Sequence, residues 1–144
     1  MSASPFIDTN ILLYAGSNAI EDAPKKRIAC ALISELDFCL SSQVVQEYLS
    51  NALGKKALGI SLEQIENVLE SLKDVTVIPV SYPLILDAWK LRRIYQVSHW
   101  DASIIVAAHC LRCEILYSED MSHGQDYGGV RIINPFLEVS SSSP

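Results

Sequence analysis

The amino-acid sequence predicts an α/β fold, with one parallel β-sheet covered by helices on both faces. Two observations carry this. Short apolar runs of strand length alternate with stretches of helical spacing, and strands separated by helices pair in parallel. The chain has 144 residues, 49% hydrophobic and 19% charged. That suits one domain with a sizeable core and excludes wholesale disorder.

The elements follow in order. Pro5, Phe6 and Ile7 form a short strand that ends at Asp8. Thr9 or Asn10 caps a helix through Ile11, Leu12, Leu13 and Tyr14. Asp22 with Pro24 opens a second helix, in which Ile28, Ala29, Leu32 and Ile33 have helical spacing. Phe38, Cys39 and Leu40 make the next strand, closed by Ser41 and Ser42. A helix then carries Val44, Val45, Tyr48, Leu49, Ala52 and Leu53, with Gly54 and Gly59 bracketing its end. Ser61 and Gln64 form a capping box for a helix to about Lys73. Val75 to Ile78 is a β-branched strand stopped by Pro79. Tyr82 to Gln96 is helical, and 98–111 reads as a helix apolar almost all round, hence buried. Glu114 to Tyr117 is a strand. A Gly-containing loop leads to the last strand, Val130 to Ile133. The domain is expected to span 1–139, with 140–144 a frayed polar tail.

Net charge is −6, from 17 acids and 11 bases. A whole-molecule electrostatic grip on nucleic acid is thereby excluded, so polyanion binding needs a local patch or bound cations. Lys25-Lys26-Arg27, Lys55-Lys56 and Lys90 with Arg92-Arg93 are the basic clusters. Each alone reads as the solvated side of a helix; one of them beside the acids would suffice for phosphate contact. No apolar run reaches the roughly 18 residues that cross a bilayer, and no basic segment precedes an apolar one at the N-terminus. The expectation is a cytoplasmic protein with no membrane association. The four cysteines, Cys30, Cys39, Cys110 and Cys113, lack a second pair at zinc spacing and are expected to be buried, reduced thiols. His99, His109 and His123 are individually uninformative.

Sites in open parallel sheets form beyond the carboxyl ends of the strands. Asp8 stands there after the first strand, and Glu119-Asp120 after Tyr117-Ser118. Glu47 and Asp101 lie near helix starts. Four carboxylates in one cleft would repel unless divalent cations neutralised them, and Mg²⁺ or Mn²⁺ prefers such oxygen donors. Each acid also has a plain reading. Asp8-Thr9-Asn10 can be a strand-to-helix turn, and Asp101 closes a Ser98-x-x-Asp capping box. Glu47 lies opposite the apolar stripe of its helix, as a surface glutamate does, and Asp120 sits in a polar loop. The pattern alone permits a metal site without establishing one.

The combination is more specific. Asp8-Thr9-Asn10, Gln46-Glu47-Tyr48, Trp100-Asp101-Ala102-Ser103-Ile104-Ile105 and Tyr117-Ser118-Glu119-Asp120-Met121 occur in an order that resembles the PIN domain. The run from Tyr127 to Phe136 looks like the end of bacterial VapC-type members. The resemblance covers roughly residues 5–137. It implies a three-layer α/β/α sandwich acting as a Mg²⁺- or Mn²⁺-dependent endoribonuclease, the toxin of a type II toxin–antitoxin pair. By the same resemblance Asp8, Glu47, Asp101 and Asp120 match the catalytic acids, with Asp8, Asp101 and Asp120 as metal ligands. Thr9, Asn10 and Ser118 match the small polar residues that orient them. Ser122-His123 stand where many members have a second acid and an aromatic, so Glu119 and Asp126 are the nearby acids left for a fifth position.

The resemblance also implies a homodimer, an antitoxin bound in a helical groove, and RNA as substrate. Apolar stripes at Ile28, Leu32 and Ile33, and at Leu62, Ile65, Val68, Leu69 and Leu72, are candidate interface surfaces if they stay exposed. Two other classes compete. A receiver or haloacid-type phosphotransfer fold is disfavoured by Asn10 at the place of its second aspartate, and by the lack of a lysine in the loop after Tyr117. A catalytically silent PIN fold serving as an RNA- or protein-binding module is disfavoured by the four acids being intact.

Overall fold

The computed structural model describes residues 4–138; the expected tail at 140–144 lies outside them. These residues form six strands and six α-helices in the order β1 (Phe6–Ile7), α1 (Thr9–Gly16), α2 (Ala23–Glu35), β2 (Cys39–Ser41), α3 (Ser42–Gly54), α4 (Leu62–Ser71), β3 (Thr76–Ile78), α5 (Tyr82–Tyr95), α6 (His99–Cys110), β4 (Ile115–Tyr117), β5 (Asp126–Tyr127) and β6 (Val130–Ile133). The sheet runs β3-β2-β1-β4-β6-β5. Its first five members are parallel and β5 is antiparallel to β6. Helices flank this central sheet, as an α/β sandwich requires.

Local chemistry sets the boundaries. Ser41, Ser61, Ser81 and Ser98 each cap a helix by accepting a backbone N–H three residues on, and Ser61 with Gln64 completes a capping box. Asp8, and not Thr9 or Asn10, caps α1: its carboxylate accepts the Thr9 N–H. Asp22 precedes α2 but makes no side-chain cap, because its carboxylate accepts the Ser17 hydroxyl at 2.6 Å. The expected loop after Tyr117 contains one more strand. Gly128 and Gly129, at φ +62° and +102°, supply the two-residue turn that folds β5 back on β6.

The core is the sheet's apolar side chains (Phe6, Ile7, Leu40, Leu116 and Ile132, none exposed) and the inner faces of the helices. Helix α6 is buried continuously from Ala102 to Ala108, as its all-round apolarity implies, and α5 packs along it. The cysteines depart from expectation. All are free, but only Cys113 is buried: Cys30 is exposed, its thiol donating to the Ala15 carbonyl of α1 at 3.4 Å, and Cys110 is exposed as the last residue of α6, past its buried stretch. Burial, with Cys39 alongside, pushes the Cys113 thiol up to about 12, so it is an inert core group. Among the described residues no helix is long and apolar enough to cross a membrane.

The stripes expected to remain open divide. Ile28, Leu32 and Ile33 of α2 pack against the core, as does Val68, and Ile65 and Leu72 are buried. Leu62 and Leu69 stay exposed. A larger apolar surface lies on α5, where Tyr82, Leu86 and Trp89 project at i, i+4 and i+7.

Candidate active site

The strand order reverses between β1 and β4: β2 and β3 lie on one side, β6 and β5 on the other. Such a switch point opens a crevice at the carboxyl ends of the strands. Ile7 pairs with Tyr117, so Asp8 and Ser118 emerge side by side from adjacent strands. The Asp8 N–H donates to the Tyr117 carbonyl at 3.0 Å and the Ser118 N–H to that of Ile133 at 3.0 Å, which locks both exits.

All four acids singled out in the sequence face one cleft of about 470 Å³. Asp8 is 4% exposed. Its Oδ1 accepts the Thr9 N–H and its Oδ2 the Ser118 hydroxyl, both at 2.7 Å. Ser118 Oγ in turn accepts the Asp120 N–H at 3.1 Å. The Thr9 hydroxyl donates to Glu47 Oε1 at 2.8 Å, and Asn10 Nδ2 donates to Asp120 Oδ2 at 3.0 Å. Each small polar residue of the sequence blocks therefore holds one acid: Ser118 holds Asp8, Thr9 holds Glu47 and Asn10 holds Asp120. Asp101 reaches the cleft from the first turn of α6. Of the two bonds of a capping box, the one from its backbone N–H to Ser98 Oγ is made, at 3.1 Å.

Glu47 is not the surface glutamate that helical periodicity suggests. The side of α3 opposite its apolar stripe lies against the start of α1, where Thr9 meets it. Gln43, one turn earlier and buried, donates to Glu47 Oε2 at 3.3 Å and to the Trp100 carbonyl at 3.2 Å, tying the acid to the start of α6. Gln43 was absent from the sequence-derived set. Its position four residues before Glu47 is the only local signal for it.

Electrostatic strain concentrates here. Burial raises the Asp8 carboxyl to about 6 despite its bonds from Ser118 and Thr9, and the charges of Asp120 and Glu47 push the same way. Asp101 is also raised, by burial first, against the Ser98 hydrogen bond, with Asp120 and Glu47 adding to it. The acids thus sense one another across the cleft. Among the described residues no three of His, Cys, Asp and Glu are gathered closely enough to form a ready-made metal cage.

The two candidates for a fifth acid separate. Asp126 caps the β5–β6 turn through the Gly129 N–H at 2.7 Å and does not line the cleft. Glu119 does line it, but Lys25 of α2 forms an ion pair with it and the Tyr14 hydroxyl donates to it at 2.6 Å. Of the basic clusters, the first thus supplies a structural clasp. The second supplies Lys55, an exposed cation on the cleft wall, whereas Arg92 and Arg93 border a separate depression. His123 accepts the Asn134 N–H through Nδ1, away from the acids.

Comparison with known proteins places this arrangement. No curated protein matches the sequence. The structure is similar to a toxin–antitoxin complex from Klebsiella pneumoniae, with a TM-score of 0.61 and 21% identity over 92% of this chain and 98% of that one. It is similar to FitAcB from Neisseria gonorrhoeae, with a TM-score of 0.62 and 15% identity over the same shares. It also resembles VapC20 of Mycobacterium tuberculosis, a toxin that cleaves the sarcin–ricin loop, with a TM-score of 0.56 and 20% identity over 81% of this chain and 92% of that one. At these identities the likeness is one of fold. The sequence itself matches the model of the PIN domain over residues 6–123, which takes in all four acids, and the chain therefore belongs to the PIN domain family.

Proposed function

We propose that the protein is a Mg²⁺- or Mn²⁺-dependent endoribonuclease and the toxin of a type II toxin–antitoxin pair. The observation that carries this reading is the convergence of Asp8, Glu47, Asp101 and Asp120, from four separate segments, on one cleft. A fold has no structural need to gather like charges where one is nearly buried, and doing so costs stability unless a cation or a substrate compensates. The donors are all oxygen, which fits a hard divalent ion, and Asp8, Asp101 and Asp120 are the residues to hold it. Mg²⁺ keeps several of its own waters and takes only one or two carboxylates directly, so a closed protein cage is not required. When bound, it would lower the pKa of a water and offset the charge that develops on a phosphodiester.

The chain's own groups supply the rest. Ser118 and Thr9 fix Asp8 so that both its oxygens are oriented. Thr9 and Gln43 hold Glu47 at the cleft wall, placed to accept a proton from attacking water. Lys55 offers the RNA backbone a positive contact that the net charge of the molecule does not. Hydrolysis of single-stranded RNA by the pure protein is expected to require Mg²⁺ or Mn²⁺ and to stop on addition of EDTA. Undiminished cleavage in chelator would remove the metal mechanism.

A second reading has its own observation. The lack of a preformed three-ligand cage among the described residues favours a catalytically silent PIN fold that binds RNA or protein. The same assay separates the two, since a silent module cuts nothing with any metal.

The toxin role is supported by the likeness in fold to the Klebsiella pneumoniae toxin–antitoxin complex and to the toxin VapC20. A partner antitoxin that places Arg or Lys among the four acids would neutralise them as a metal does and shut the enzyme. The homodimer is part of the same proposal, with the exposed α5 surface of Tyr82, Leu86 and Trp89 available to bury. Light scattering at micromolar concentration is expected to give twice the chain mass. A strictly monomeric mass would sink the dimer.

A further inference from the structure

We propose that Trp100 is the platform of a base-stacking subsite, which receives the nucleotide of single-stranded RNA next to the phosphodiester being cut. The proposal rests on the nuclease reading above and adds to it where the substrate chain lies. Helix α6 is buried from Ala102 to Ala108, and Trp100 in its first turn is 63% exposed. Its exposure alone is ordinary; what sets this ring apart is a flat aromatic face open to solvent on the wall of the acidic cleft.

Two openings meet at this ring. The acidic cleft lies on one side; on the other is a groove of about 700 Å³, and Glu47 and Trp100 line both. Gln43 ties the Trp100 carbonyl and the Glu47 carboxylate to one amide, so the platform and the acid keep a fixed relation. His99 packs against the indole at 5.1 Å with the rings 68° apart, and such an edge-on contact covers at most one face of the indole.

The chemistry of the groove selects the occupant. Val80 and Ile85 give it apolar lining, Gln46 and Ser50 give it neutral hydrogen-bonding groups, and Glu47 is its only acid among the described residues. No Lys or Arg lines it among the described residues, so it suits a base and not a phosphate. Aromatic stacking with amide and hydroxyl groups at the base edge is how proteins read unpaired nucleotides. A strand whose phosphate sits among the acids would carry its neighbouring base over the shared wall and onto Trp100.

The test uses the full chain and two eight-nucleotide probes, an oligouridylate and an abasic ribose-phosphate chain of equal length. Trp100→Ala is expected to raise KM for the oligouridylate about 10-fold, within the range that loss of one stacked base produces, with kcat within threefold of wild type. Trp100→Phe should recover most of the loss. In Trp89→Phe, where Trp100 is the sole tryptophan, Ca²⁺ replaces Mg²⁺ to slow cleavage. There the oligouridylate should quench the fluorescence and the abasic chain should not. Wild-type KM in Trp100→Ala, beside an inactive Asp101→Asn, would overturn the subsite and leave the nuclease standing. If the wild-type protein cuts no RNA, the nuclease reading fails and the titration alone decides. Quenching by the base-bearing probe only would then support stacking. Equal quenching by both probes, or none, would overturn it, and a groove that instead answers only to a protein partner falls in that second outcome.

Discussion

Asp101→Asn is expected to lower the rate of RNA cleavage at least about 100-fold while leaving the protein folded. The substitution removes a charge but hardly changes shape. The cap of α6 depends on the backbone N–H of residue 101 donating to Ser98, and asparagine keeps that N–H. The anchor of the helix, Ala102 to Ala108, is untouched. What is lost, under the proposed mechanism, is one of the carboxylates that would hold a divalent ion and support the transition state. A 100-fold loss corresponds to about 2.7 kcal/mol of transition-state stabilisation, well within the effect of removing a metal ligand. Asp8→Asn should behave alike in activity. A variant at Asp101 that keeps full activity would reduce that residue to part of a helix cap. Circular dichroism and a cleavage time course on the same preparation decide between these outcomes.

The two aspartates were legible in the chain for different reasons. Asp8 stands directly after a short apolar strand, where α/β folds place their sites, and local sequence suffices to find it. Asp101 looked like a cap and is one in part, since a backbone N–H can serve the helix while the side chain serves the cleft. Only its order among the other blocks separated the two roles. Glu47 shows where periodicity misleads. The rule that the side opposite an apolar stripe faces water fails where that side lies against another helix start at the carboxyl ends of the central strands. Residues that act through tertiary contact left at most a faint local trace: Gln43 stands one helical turn before Glu47, and Lys25 and Lys55 belong to two of three basic clusters, but nothing local says that Gln43 bridges α3 and α6, that Lys25 and Tyr14 hold Glu119, or that Lys55 lies on the cleft wall. The β5 strand was missed because two residues carry no periodicity. Its Gly128-Gly129 turn was the available sign.

Asp8→Asn is further expected to raise the thermal stability of the metal-free protein at pH 7.5, the reverse of its effect on activity. The Asp8 carboxyl titrates at about 6 in the folded chain, against 3.8 for an ordinary aspartate. The folded state thus binds this proton more tightly than the unfolded state does. The associated stability is fully present below pH 3.8 and is lost as pH rises through about 6. Above that, holding the buried carboxylate ionised costs up to about 3 kcal/mol. Asparagine escapes this cost. Its side-chain oxygen can still accept the Thr9 N–H, but its amide would face Ser118 Oγ, whose hydrogen must find another acceptor at about 1 kcal/mol. The net gain at pH 7.5 is about 1–2 kcal/mol, a rise in Tm of roughly 3–8 °C for a chain of this size. At pH 3.5 the wild-type carboxyl is already protonated and the gain should vanish. Adding Asp120→Asn removes a second charge from the cleft, one that also acts on Asp101, and should not reverse the sign. Mg²⁺ then supplies the opposing test. A cation that binds only the folded wild-type site stabilises it by mass action, so its Tm should climb with Mg²⁺ while that of Asp8→Asn stays flat. A metal-free Asp8→Asn that melts well below wild type at pH 7.5 would mean that this carboxylate is there to hold the fold, and the argument from gathered charge to bound cation would lose its footing.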